Sequence, residues 1–120
     1  MNEDRVKYLV QKYFEKQGWK VKPEIAVGGI NREVILDFWL YKEEAEPKIM
    51  WVECKGDESL SQLLEGFIRT EFAVFYGGGL GILAVPHEAT QKLLKYSDFI
   101  KQAKEVIQLL DVETNTLHQL

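Results

Sequence analysis

The chain has 120 residues, of which 46% are hydrophobic and 28% are charged. This length suits one domain with its own core, and the composition excludes a disordered chain. The single cysteine, Cys54, excludes an internal disulfide scaffold and a zinc module built on cysteine clusters. No apolar run reaches the roughly 18–20 residues that span a bilayer, and the first residues do not begin a signal peptide. We therefore expect a soluble, cytoplasmic protein without a membrane partner.

The net charge is −4, whereas a general polyanion binder is normally basic. The charge is unevenly distributed, because residues 1–22 have an excess of basic side chains and residues 23–65 an excess of acidic ones. An acidic central segment and a basic start both require a functional explanation.

The first segment, from Glu3 to Gln17, has apolar residues at helical spacing, which predicts an amphipathic helix that ends before Gly18. Residues 19–22 then alternate between apolar and polar side chains before Pro23. This pattern is typical of a short edge strand.

Two strands are predicted next, on either side of a polar turn at residues 42–47. Residues 33–41 follow the turn at Gly28 and Gly29 and are apolar on both faces except for Asp37, which predicts a strand buried on both sides. Residues 48–55 form the second strand. Because strand side chains alternate, we expect Glu53 and Lys55 to share one face and Cys54 to point the other way.

The second half of the chain alternates between helical and strand patterns. Ser59 and Gln62 resemble a capping box that opens a helix ending at the glycines 77–79. A buried strand is predicted at residues 80–85, followed by a helix at residues 88–104 that is broken near Ser97 and Asp98. A last strand is predicted at residues 105–112, and a turn and tail at residues 113–120. The sequence contains no internal repeat and no linker, so we expect residues 1–120 to form one domain. The order of elements predicts an α/β fold with a mixed sheet flanked by helices.

Asp37 and Glu53 interrupt otherwise apolar strands, where an ionised carboxylate needs a cation, a metal or a water-filled cleft. If the two strands are hairpin neighbours, both carboxylates lie at one level of the sheet with Lys55 one step beyond. Two such oxygen donors, completed by a backbone carbonyl and water, suit Mg²⁺. A lysine beside them can hold the attacking water and offset charge on a phosphoryl transition state.

Structural interpretations of these residues remain open. Glu-x-Lys is frequent in strands by chance, and Asp37 alone suits a buried carboxylate paired with an arginine. Gln62 suits the back-bonding residue of a capping box. Arg69 lies four residues after Glu65, which is typical of a surface ion pair, although it could also contact a phosphate.

The remaining conspicuous residues favour structural roles. His87 and His118 lie apart in the sequence, and neither has an evident partner for metal binding or nucleophilic catalysis. Trp19, Trp39 and Trp51 are expected in the core, and the glycines 77–79 lack the Lys-Ser/Thr of a phosphate-binding loop.

The order of elements, with Asp37 in Ile35-Leu36-Asp37-Phe38 and Glu53-Cys54-Lys55 ending the next strand, resembles the PD-(D/E)XK nuclease superfamily over residues 3–86. The resemblance implies a restriction-endonuclease-like αβββαβ core, here extended by a C-terminal helix and a last strand. It implies that Asp37, Glu53 and the Cys54 carbonyl bind Mg²⁺, or Mn²⁺ as a substitute, and that Lys55 and Gln62 are catalytic. Where many relatives carry a glutamate in the first helix, this chain has Lys7 and Tyr8.

The expected activity is therefore metal-dependent hydrolysis of nucleic acid, more readily DNA than RNA, by an endonuclease-like enzyme. The lysines of residues 7–22 would face the phosphates, and a homodimer would place two sites across a duplex. The alternative is a catalytically inactive protein of the same fold that serves as an interaction or assembly subunit.

Overall fold

The computed structural model describes residues 1–28, 30, 33–101 and 107–119, excluding the side chain of Phe99. Four helices and six strands lie within these ranges: α1 (Glu3–Lys16), β1 (Lys20–Val27), β2 (Val34–Tyr41), β3 (Ile49–Cys54), α2 (Leu60–Gly77), β4 (Leu80–Val85), α3 (His87–Leu94), α4 (Ser97–Lys101), β5 (Ile107–Asp111) and β6 (Thr116–Gln119). Among the described helices, none has the length and apolar character needed to cross a membrane.

The six strands form one mixed sheet in chain order, from β1 at one edge to β6 at the other. The first three strands are antiparallel, β3, β4 and β5 are parallel to one another, and β6 is antiparallel to β5. The parallel pair β3 and β4 requires a crossover, which α2 supplies. The fold is therefore an α/β sheet with helices on both faces, and its first six elements follow the order αβββαβ.

The helices cover opposite faces of the sheet. On one face, α1 inserts Val6, Val10 and Phe14 into a core with the inward side chains of the central strands. On the other face, α2 and α3 pack with β4 and β5 through residues such as Leu63 and Leu93. Helix α2 begins at a complete capping box formed by Ser59 and Gln62, as the sequence indicates.

Strand β2 changes face at Asp37. Phe38 packs on the α1 side of the sheet, whereas Leu36 packs with Trp51 and Ala73 on the α2 side. In a regular strand, Leu36 and Phe38 would point the same way. The backbone pairing between β2 and β3 runs only from Tyr41 to Phe38, so Asp37 lies where this ladder stops.

Three expectations for the strands need correction. Strand 33–41 is not buried on both sides, because Ile35 is 51% exposed and its alternate residues are only partly buried. Strand β1 continues beyond Pro23 to Val27, which an edge strand permits because one side of it needs no ladder donor. The tail 113–120 is not only a turn, since β6 pairs with β5.

Most other predicted elements are confirmed, including the break between α3 and α4 and the strand β5. The predicted end of the helix at residues 102–104 and the first residues of the last strand, 105–106, lie outside the described residues, as does Gly29 of the predicted turn.

Candidate functional site

Asp37 and Glu53 meet at the point where β2 and β3 separate. Continuing the β2–β3 register by one pair beyond Phe38 and Val52 places Asp37 opposite Glu53. Here side chains replace the backbone ladder: the Asp37 N–H donates to Glu53 Oε1 at 3.3 Å, and the Cys54 N–H donates to Asp37 Oδ2 at 2.7 Å. Both carboxylates are therefore fixed by the main chain of the neighbouring strand.

Two cations approach this pair from opposite faces of the sheet. Lys7 of α1 lies with its Nζ 3.3 Å from Asp37 Oδ1. Arg69 of α2 lies with its Nε 3.9 Å from Glu53 Oε2, and its Nη2 is 3.4 Å from Glu65 Oε1. The surface pair between Glu65 and Arg69 is confirmed, but the sequence does not reveal that Arg69 also faces Glu53.

Lys55 follows β3 directly and lies on the α2 side, as Glu53 does. Its aliphatic stem passes Gly66, where an added Cβ would lie 3.1 Å from the Lys55 Cγ. The Lys55 ammonium group is 3.9 Å from Glu58 Oε2, and the side chain is 15% exposed. The expectation that Glu53 and Lys55 share a face is confirmed.

Glu53 is the most strongly perturbed acid at this site. Its side chain is 6% exposed. Burial, a hydrogen bond with Asp37 and the negative charge of Asp37 raise the pKa of Glu53 to about 9, against the smaller opposing effect of Arg69. Two carboxyl groups so close together repel each other when both are ionised. A divalent cation bound to both would offset this repulsion.

Cys54 and Gln62 have evident structural roles. The Cys54 side chain is buried on the α1 side with Val6 and Val10, so its predicted orientation is confirmed. The Cys54 backbone lies beside Asp37, and its carbonyl remains a predicted ligand. The Gln62 Oε1 accepts the Ser59 N–H at 3.1 Å, which is the capping function, and a catalytic role of Gln62 remains a prediction.

The donor set at this site consists of hard oxygen atoms, which suits Mg²⁺ or Mn²⁺ better than softer metals. Within the described ranges, no three or more His, Cys, Asp and Glu side chains gather in a group that could hold a metal ion. A divalent cation bound here would therefore use Asp37, Glu53, a backbone carbonyl and water.

The structure shows one interaction of His87 that the sequence does not indicate. His87, which begins α3, has its Nδ1 2.6 Å from Asp111 Oδ2 at the end of β5. Asp111 also accepts the N–H groups of Glu113 and Thr114. The sequence does not indicate this pair, because the parallel strands β4 and β5 bring together residues 24 apart in the sequence.

A surface groove of about 1050 Å³ lies elsewhere, between α1 and the turn after β5. Leu9, Tyr13 and Val112 line it together with Lys12 and Lys16. None of these residues belongs to the group around Asp37 and Glu53, so the groove and the carboxylate pair are separate features.

Comparisons with known proteins give no family for this chain. A scan against protein-family models, a search of curated proteins and a search of solved structures each found no match.

Proposed function

We propose that this chain is a metal-dependent nuclease with a restriction-endonuclease-like fold of the PD-(D/E)XK type. The observation that carries the proposal is the convergence of Asp37 and Glu53 where β2 and β3 separate, with Lys55 one step beyond on the face of Glu53. The order αβββαβ of the first six elements supports it.

Each side chain has a distinct role in the proposed reaction. Asp37 and Glu53 would hold the cation, together with the Cys54 carbonyl. Bound Mg²⁺ would polarise the phosphodiester and lower the pKa of water. Lys55, whose stem is held against α2, would orient the attacking water and offset negative charge on the phosphate in the transition state.

The cationic neighbours of the site suit a phosphate substrate. Arg69 is 43% exposed and Lys7 is 34% exposed, so both reach from the carboxylates to solvent. Such groups contact the backbone of a nucleic acid without reading its sequence. We propose nucleic acid, DNA in the first instance, as the substrate.

Cleavage assays test this function. Duplex, single-stranded and branched DNA and RNA are incubated with Mg²⁺ or Mn²⁺ and with the wild type, Asp37→Asn or Lys55→Ala. We expect cleavage by the wild type and a loss of about 100-fold or more in each variant. Lys48→Ala and Asp98→Asn, which make the same kinds of change at exposed positions outside the site, should retain activity. Full cleavage by both site variants would refute the mechanism.

The second candidate is a catalytically inactive interaction subunit with the same fold. It is favoured by the positions of Lys7 beside Asp37 and of Arg69 beside Glu53, which place a cation of the protein itself next to each carboxyl group. Calorimetry separates the two candidates. Mn²⁺ uptake that disappears in Asp37→Asn supports the nuclease, and the absence of such uptake supports the inactive subunit.

A further inference from the structure

The two oxygens of Asp37 have different partners. Oδ2 accepts the Cys54 N–H at 2.7 Å, and Oδ1 faces the Lys7 ammonium group at 3.3 Å. The main-chain hydrogen bond fixes the orientation of the carboxylate. Among the described residues, Oδ1 has no main-chain donor, so it is the oxygen at which a metal ion could replace Lys7.

We propose that Lys7 competes with the divalent cation for Asp37 Oδ1, so that the ammonium group occupies this oxygen in the metal-free protein and leaves it when metal binds. This inference rests on the proposed metal site. An acidic residue on α1 would help to hold the metal ion. Lys7 does the opposite, because its charge neutralises Asp37 Oδ1 and so weakens metal binding there.

Lys7 is suited to this role by its surroundings. Burial disfavours its charge, but the charge of Asp37, a hydrogen bond to Asp37 and the charge of Glu3 outweigh burial and raise the pKa of Lys7. The side chain therefore remains an ammonium group at neutral pH. A cation of the protein and a metal ion cannot both lie against one carboxylate oxygen without strong repulsion.

The ammonium group lies beside a second acid as well as beside Asp37. Glu3 lies one helical turn before Lys7, and its Oε2 is 3.6 Å from the Lys7 Nζ. Because Lys7 is 34% exposed, a rotation of its flexible side chain is sufficient to exchange Asp37 for Glu3 and solvent. Metal binding would then need no movement of the backbone.

Calorimetric titration with Mn²⁺ alone tests the competition. The full chain is compared as wild type, Lys7→Gln and Lys7→Glu, with Lys12→Gln as the matched control for the loss of one positive charge on α1. We expect Lys7→Gln to bind Mn²⁺ about tenfold more tightly or better, Lys7→Glu more tightly still, and Lys12→Gln to stay within about twofold of the wild type. Thermal unfolding in a chelator verifies that each variant folds.

Amine labelling gives a second readout that does not depend on catalysis. A water-soluble acylating reagent modifies lysines, and mass spectrometry quantifies the product at each position with and without Mn²⁺. Release from Asp37 should increase the labelling rate of Lys7 severalfold when Mn²⁺ is added. The labelling of Lys12 should not change.

The outcomes separate this inference from the proposed function. If the wild type binds Mn²⁺ at Asp37 but Lys7→Gln binds no more tightly than Lys12→Gln, the competition is refuted and the nuclease proposal stands. If no variant binds Mn²⁺, the metal site is refuted and the competition with it. If only the two Lys7 variants bind Mn²⁺, the competition is supported and Lys7 keeps the natural chain in the metal-free, inactive state.

Discussion

Glu53 should make the protein less stable as the pH rises. Its pKa is raised from an ordinary value of 4.5 to about 9, because the side chain is buried beside Asp37. The folded state therefore holds this proton more tightly than the unfolded state. The stabilisation that this proton gives to the folded state is complete below pH 4.5 and is lost as the pH rises towards 9.

The magnitude follows from the size of this difference. Each pH unit between the two pKa values changes the free energy of unfolding by about 1.4 kcal/mol. Between pH 5 and pH 7 the wild type should lose about 3 kcal/mol through this one group. Glu53→Gln keeps the shape and the oxygen that accepts the Asp37 N–H but cannot ionise, so it should not show this loss.

Urea unfolding at pH 5 and pH 7 in the presence of a chelator measures the effect. The stability of Glu53→Gln should exceed that of the wild type at pH 7, and the difference should grow by about 3 kcal/mol from pH 5. Glu65→Gln is the control, because it makes the same change in a carboxylate that is 56% exposed. Equal pH dependence of Glu53→Gln and the wild type would refute the assignment of a buried, protonated Glu53.

Three further predictions concern the rest of the fold. Leu40→Ala, in the fully buried core beside α1, should lower the free energy of unfolding in urea by about 2–5 kcal/mol. Gly79→Ala should cost more than about 1 kcal/mol, because φ is +84° and the new Cβ would lie 2.3 Å from a backbone oxygen of β3. Gly78→Ala, with open space around the Cβ, should lower the free energy of unfolding in urea by less. His87→Gln should destabilise the protein more at pH 5.5 than at pH 8.5. The hydrogen bond with Asp111 and the charge of Asp111 outweigh burial and raise the pKa of His87. The stabilisation by the charged pair is therefore present at low pH and is lost as the pH rises through that pKa.

The order of elements could be predicted from the sequence because its signals are local. The capping residues Ser59 and Gln62 fix the start of α2, and the glycines after residue 76 fix its end. Apolar runs interrupted by Asp37 and Glu53 identified the neighbouring strands. Their spacing then placed the two carboxylates together, since a hairpin needs little more than its turn to set the register.

The partners of these residues could not be predicted, because they lie on elements distant in the sequence. Lys7 reaches Asp37 from a helix 30 residues earlier, and Arg69 reaches Glu53 from the next helix, where local spacing shows only its pair with Glu65. The sequence does not predict the short strand β6. Its four residues have no clear strand pattern of their own, and they form a strand because they pair with β5.

The change of face at Asp37 explains why the candidate site lies where it does. A regular antiparallel ladder would pair the main-chain groups of β2 and β3 with each other. At Asp37 the pairing stops, and the N–H groups of Asp37 and Cys54 turn instead to carboxylate oxygens of the opposite strands. Asp37 is thus a structural acceptor as well as a candidate ligand. Its replacement by alanine would leave the Cys54 N–H unsatisfied, at a cost of about 1–3 kcal/mol, whereas asparagine keeps an acceptor and removes the charge. Loss of metal binding in Asp37→Asn, with folding retained, is therefore the result that separates the chemistry of this carboxylate from its place in the sheet.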